Sequence, residues 1–365
     1  MKDQGMRDME MQRQNSESGF TLLELMVSMA VGLIVMAAMA SLFKTGMNST
    51  MLVTQRAETQ QNMRAAIDLL VKDISMAGAG LPSGGIQLPS GAGSSTSKYA
   101  CDQGGICHVP TSTYPTGNYM YGIIPGYTNG VEGSAVIPAA PAPAINDSIT
   151  SIYADYNFPL WEYNVTFVGA NGGSITMAAN PIYSPAPPAI NASGGIQAGD
   201  LIMLSNSLGN AVGEVTGITA TTITFANLDP LNLNQSGAAS NNIKAISGGA
   251  NTAAYRLFAV TYYVTVPAAG QTPRLMRQVN GLSPVPVADD IINLQFAFDT
   301  YNSTTAALDA NQPNPLGVAE SPNNIQKVNI LVMGQSMFNN GNKSQNLYLA
   351  TSVSARNMAF RNRYQ

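Results

Sequence analysis

Gly19-Phe20-Thr21-Leu22-Leu23-Glu24-Leu25 opens a run of 24 residues, Phe20 to Phe43, in which Glu24 is the only charged side chain. The run exceeds the roughly 20 residues needed to cross the hydrocarbon core of a bilayer. A carboxylate inside such a segment costs about 2.5–3.5 kcal/mol on insertion scales, so it is normally retained with a partner and a task. The sequence supplies a partner. If the chain is cut after Gly19, Phe20 becomes a cationic N-terminus one helical turn from Glu24.

Gly-Phe-Thr-Leu-x-Glu leading into a membrane-length apolar run resembles the class III signal of type IV prepilins and pseudopilins. In that family a membrane-embedded aspartyl peptidase, the prepilin peptidase, cuts after the glycine on the cytoplasmic side. It then N-methylates the new first residue. The resemblance therefore implies cleavage between Gly19 and Phe20, N-methylation of Phe20 and an assembly role for Glu24. Two rival readings give other N-termini. A simple membrane anchor keeps its leader and leaves Glu24 unexplained. A secretory signal would be cut before Ser41, where Ala38-Met39-Ala40 has a small-x-small pattern, but its apolar region normally spans about 7–15 residues without an acid.

Residues 1–19 form the expected leader. They carry Lys2, Arg7 and Arg13 against Asp3, Asp8, Glu10 and Glu17. Orientation follows basic residues rather than net charge, so a cytoplasmic N-terminus is favoured. Removing the leader leaves 346 residues, with 14 basic side chains against 17 acidic ones. Charged residues make up only 10% of the chain, against about 25% in typical soluble domains. With 34 glycines and 21 prolines, the composition points to a loop-rich extracytoplasmic β protein. No basic run suggests a nucleic-acid groove, and a formal charge of −4 weighs against one. No nucleic-acid partner is expected.

Cys101 and Cys107 flank a Gly-rich loop, with the lone histidine, His108, beside them. In an oxidising compartment a disulfide closing this short loop is the simple reading. Free thiols and an interchain bridge are the alternatives. A zinc site lacks a fourth local ligand and a usual spacing, so no metal and no cofactor is expected. His108 beside the cysteines also suggests Cys–His nucleophilic chemistry, but no third orienting group accompanies them. Asp289-Asp290 could be paired acids or metal ligands, yet consecutive strand residues point to opposite faces, and a solvated turn or strand edge is the plainer reading. Neither a phosphate loop nor a dinucleotide fingerprint is present. The chain does not read as an enzyme.

No proline interrupts residues 20–77. Met63, Ile67, Leu70 and Ile74 mark one face of a helix, and Arg64, Asp68 and Lys72 form a charged ladder on another. A single helix over 20–77 would be about 87 Å long at roughly 1.5 Å per residue. Its 20–43 half is the membrane or filament-core part and its 44–77 half is amphipathic. Gly78-Ala79-Gly80-Leu81-Pro82 stops it. Residues 78–146 read as a Gly/Pro/Tyr-rich surface excursion, in which Tyr114, Tyr119, Tyr121 and Tyr127 suggest partial packing. Strand-like runs follow over 147–365: 148–156, 163–168, 200–204, 211–215, 221–225, 256–266, 275–279, 291–298, 325–333 and 347–354. The 200–225 stretch can form a small β insertion, and 275–279 can return on 256–266 through a turn at 267–273. The fold class is α+β, a long N-terminal helix followed by an antiparallel β-rich head.

Beyond the signal, several stretches resemble PilW-type minor pilins, relatives of the J-type minor pseudopilin of type II secretion. They are Met63-Arg64-Ala65-Ala66-Ile67-Asp68-Leu69-Leu70 with Lys72-Asp73-Ile74, Tyr255-Arg256-Leu257 through Tyr262-Tyr263-Val264, Leu275-Met276-Arg277, Val287-Ala288-Asp289-Asp290-Ile291 with Leu294-Gln295-Phe296, and Arg356-Asn357. The resemblance implies a minor pilin that primes or joins a type IV pilus. Its implied partners are the prepilin peptidase, other minor and major pilins, the inner-membrane assembly platform and membrane lipid. It implies an inner-membrane precursor with a periplasmic head, and a pilus or cell-surface location after assembly. A pseudopilin of a secretion system and a pilin-anchored surface adhesin are the alternatives.

Overall fold

The computed structural model describes residues 19–114, 118–128, 146–265, 272–314, 321–336 and 345–359. Leader residues 1–18, most of the expected 267–273 turn, residues 129–145 of the excursion and the 360–365 tail lie outside the described residues.

The long helix is α1, Leu22–Met76. It starts two residues later than expected because Thr21 caps it, its carbonyl accepting the first helical bond from the Leu25 N–H at 3.1 Å. It stops at Gly78, whose φ of 79° suits glycine. A Cβ at Gly78 would also lie 2.9 Å from the Met358 side chain.

The chain divides into two compact units, Met1–Thr54 and Gln55–Gln365. In the first, α1 is long and apolar enough to cross a membrane, and none of its most apolar window is buried. In the second, the same helix buries Thr59, Met63, Ala66, Ile67, Leu70, Asp73 and Ile74. The Met63, Ile67, Leu70 and Ile74 stripe is therefore core-facing, while Arg64, Asp68 and Lys72 are exposed.

The head begins with three short strands, β1 (Ile86–Gln87), β2 (Tyr119–Met120) and β3 (Ile123–Gly126). Next come β4 (Ser148–Asp155), β5 (Tyr163–Phe167), β6 (Ser174–Ala179), β7 (Leu201–Asn206), β8 (Gly209–Glu214), β9 (Gly217–Ile218) and β10 (Thr222–Thr224). The last group is β11 (Ala253–Thr265), β12 (Arg274–Val279), β13 (Val285–Asp289), β14 (Ile291–Asn302), β15 (Ala307–Gln312), β16 (Ile325–Gln335) and β17 (Asn346–Ser354). All pairings among them are antiparallel.

The central sheet runs β13-β12-β11-β4-β3, with β7 and β8 attached through β11. One edge of β11 holds β4. The other is shared, by β7 along residues 253–257 and by β12 along residues 260–265. A second sheet runs β15-β14-β16-β17. Asn146 and Asp147 tie the start of β4 to β14, their side chains accepting the Leu294 and Phe296 N–H groups at 2.7 and 2.9 Å.

Burial along β11 explains why its alternation has no polar phase. Val260, Tyr262 and Val264 join the core under α1, while Leu257, Ala259 and Tyr263 join a second core. Both faces are covered, as happens where a sheet is sandwiched. Leu81, Ile86, Leu88, Tyr99, Tyr114 and Met120 contribute to this second core. The 78–146 segment was expected to be a surface excursion packed in part through its tyrosines; Tyr114 is buried, and the described residues pack further than expected, covering the sheet's far face.

The expected β insertion at 200–225 is also corrected. β7 and β8 extend the central sheet, whereas β9 and β10 join β5 and β6 in a separate sheet, β5-β6-β10-β9. That sheet closes a third core around Phe158, Leu160, Ile175, Ile202, Ile223 and Phe225. The split follows chemistry: Leu201–Leu204 is continuously buried, whereas β10 alternates.

Candidate processing and assembly site

Gly19, Phe20 and Thr21 are non-helical, and the Phe20 side chain is 85% exposed. Glu24 sits in the first turn of α1. Its Oε2 accepts the Thr21 N–H at 3.2 Å and the Thr21 hydroxyl at 3.2 Å. In return the Thr21 Oγ1 accepts the Glu24 N–H at 3.3 Å. This reciprocal set is a capping box, which satisfies two backbone donors that a helix start leaves open. Before any cut, then, the Glu24 carboxylate has partners on its own chain. The T-x-x-E spacing was present in the sequence as a cap signal, and the reading above used only its charge.

Three further polar side chains of the helix are bonded within it. Ser28, Thr45 and Thr50 donate to the carbonyls of Leu25, Ser41 and Gly46 at 2.9, 3.0 and 3.0 Å. Internal satisfaction of this kind is what a hydrocarbon surrounding demands.

In the head, α1 is fixed by one buried acid. Asp73, 2% exposed, accepts the Tyr153 hydroxyl at 2.8 Å, the Tyr262 hydroxyl at 2.6 Å and the Arg277 Nε–H at 2.9 Å. Burial, then the Asp73 charge and hydrogen bond, push the pKa of both tyrosines up. Burial works against the Arg277 cation, but Asp73 outweighs it and raises its pKa. Sequence reading missed this cluster, because its members lie on α1, β4, β11 and β12 and share no spacing. Three of them, Asp73, Tyr262 and Arg277, fall within the stretches that carry the PilW-type resemblance.

A disulfide joins Cys101 and Cys107. Within its loop the Asp102 side chain accepts the Gly104 and Ile106 N–H groups at 2.9 and 3.1 Å and meets the His108 Nε2 at 2.9 Å. Burial, the largest single effect, raises the Asp102 pKa, but His108 and the loop amides together outweigh it and leave it below the usual carboxylate range. His108 stacks on Tyr263 with ring centroids 6.0 Å apart. The loop is thereby packed on β11, and its histidine is held by ring packing and a contact to the Asp102 carboxylate.

Asp289 and Asp290 diverge. Asp289 pairs with Arg274 at 2.8 Å. Asp290, at φ 62°, is half-buried rather than solvated, and burial, then Asp289 and Glu58, push its pKa up to about 6. Among the described residues no three His, Cys, Asp or Glu side chains come together as metal ligands.

A family model described as the prokaryotic N-terminal methylation motif matches residues 14–40. The chain has a type IV pilin-like N-terminus. The matched segment contains the Gly19–Phe20 bond, the Thr21–Glu24 capping box and most of the apolar run. This pilin-like motif implies processing by prepilin peptidase and assembly with pilins, and its long apolar helix fits a membrane-anchored pilin. The chain has no match among curated proteins or among solved structures.

Proposed function

We propose that this chain is a minor pilin of the PilW type, cut between Gly19 and Phe20, N-methylated on Phe20 and incorporated in or priming a type IV pilus through α1. The observation that carries this reading is the methylation motif at residues 14–40 joined to a 55-residue helix whose second part is built into an antiparallel head. Its role is structural rather than enzymatic. The precursor sits in the inner membrane with a periplasmic head, and moves to the pilus after assembly. Its partners are the prepilin peptidase, other minor and major pilins, the assembly platform and lipid.

Once the leader is removed, the Phe20 ammonium lies within one turn of Glu24 and competes with Thr21 for its carboxylate. Neutralisation of this pair in hydrocarbon offsets the cost of the acid and biases the register of neighbouring subunits. Glu24→Ala tests this: cleavage continues while incorporation into filaments falls. Normal incorporation of that variant contradicts the assembly role.

A pseudopilin of a type II secretion system shares this chemistry, and the two are separated by which filament, pilus or pseudopilus, contains the chain. The adhesin reading rested on a free surface excursion. Of the described residues of that excursion, Ile86, Tyr99, Tyr114 and Met120 are buried in the second core.

A further inference from the structure

We propose that Thr21 is a positioning residue for leader removal: it fixes the start of α1 just beyond the scissile bond and keeps the Gly19–Phe20 amide in non-helical backbone. This rests on the processing reading above. Hydrolysis adds water across that amide, leaving a Gly19 carboxylate and a Phe20 ammonium. The peptidase must reach the Gly19 carbonyl, and a carbonyl inside a helix is tied to an N–H four residues on and crowded by side chains.

Four observations support this. The first helical bond runs from the Leu25 N–H to the Thr21 carbonyl, so the Gly19 and Phe20 carbonyls stand outside the helical ladder. Thr21 holds that boundary through its hydroxyl, which accepts the Glu24 N–H at 3.3 Å. The next residue upstream with a capping side chain is Ser18, and no proline lies between it and Leu22. Without the Thr21 hydroxyl, the helix can advance to Ser18 and enclose the bond to be cut. The match to the methylation motif spans both sides of that bond, an observation independent of the hydrogen bonds.

Glu24 contributes differently. The bond that sets the boundary uses its backbone N–H, which survives side-chain truncation. Thr21 and Glu24 variants should therefore separate, the first affecting cleavage and the second assembly.

The experiment uses the full-length precursor in nanodiscs with purified prepilin peptidase, and reads kcat/KM together with the carbon chemical shifts of Gly19 and Phe20. Thr21→Ala is expected to lower kcat/KM about fivefold, the size of one lost helix cap, with Phe20 shifting to helical values. Thr21→Ser restores both readouts, and Glu24→Ala is cut at close to the wild-type rate. Cleavage of Thr21→Ala at the wild-type rate overturns the proposal. So does slow cleavage with Phe20 still non-helical, or failure of Thr21→Ser to rescue. A wild-type chain that is not cut at Gly19–Phe20 overturns the processing reading itself.

Discussion

The Tyr262 hydroxyl donates to the Asp73 carboxylate at 2.6 Å across 189 residues of sequence, joining the centre of β11 to the last turns of α1. Tyr153 from β4 and Arg277 from β12 converge on the same acid. Three neighbouring strands thus grip the helix through one buried charge. Apolar packing alone would let the helix slide by a turn; a single buried carboxylate with three directional donors fixes its register.

Removal of that carboxylate leaves Arg277 half-buried without its partner. Asp73→Ala is expected to destabilise the head by about 3–5 kcal/mol, the usual cost of breaking a buried pair from one side. Thermal unfolding of the detergent-solubilised chain measures it. Adding Arg277→Met to that variant should recover part of the loss, and a double-mutant cycle gives the coupling.

Glu214 sets an expected pH dependence. It is fully buried beside Asp229, donated to by the Leu231 N–H at 3.1 Å and by the Gln103 amide. Burial, then the hydrogen bond to Asp229 and its charge, push its pKa up to about 9 from an ordinary 4.5. A raised folded pKa means the folded chain holds a proton that the unfolded chain releases. Stability from this group is full below about pH 4.5 and declines as pH rises toward 9. Glu214→Gln is expected to flatten that decline and raise the melting temperature at pH 8. An unchanged profile contradicts this assignment.

The Cys101–Cys107 bridge closes a short loop, with a sequence separation of 6. Chain-entropy arguments give such a loop about 2–2.5 kcal/mol. Cys101→Ser with Cys107→Ser is expected to lower stability by about that amount, and to expose Tyr263 as the His108 stack loosens. Denaturant unfolding and Tyr263 hydrogen exchange in β11 check both parts.

Arg256 is a second buried tie. Its Nε donates to Asp155 at 2.7 Å, its Nη1 to the Gly195 carbonyl at 2.8 Å, and its guanidinium lies 5.5 and 5.3 Å from the Phe158 and Phe258 ring centroids. Lysine cannot reproduce a planar fork held between two rings. Arg256→Lys is expected to cost about 1–3 kcal/mol, read by thermal unfolding.

The parts legible in the sequence were those with a period or a fixed offset. The α1 stripe from Met63 to Ile74 repeats every helical turn, and β11, β14, β16 and β17 are long enough for their apolar content to stand out. The hairpin of β11 and β12 follows from two adjacent runs, and pairs Val260 with Val279 through Thr265 with Arg274. The second core was not legible. Apart from Tyr114, whose ring hinted at packing, its members such as Tyr99, Val109 and Met120 reach it from chain with no period, so only the fold reveals that they cover β11. The ties centred on Asp73, Glu214 and Arg256 were hidden for the same reason, since each joins elements remote in sequence. At the N-terminus the offset from Thr21 to Glu24 was visible, and the charge of Glu24 drew attention away from the cap.

The central claim is that Phe20 becomes the first residue of a processed subunit. Mass spectrometry of the N-terminal peptide from membrane and sheared-filament fractions tests it most directly. The expected result is N-methyl-Phe20 in both fractions. An N-terminus at Ser41, or an intact leader in cells with active prepilin peptidase, contradicts it.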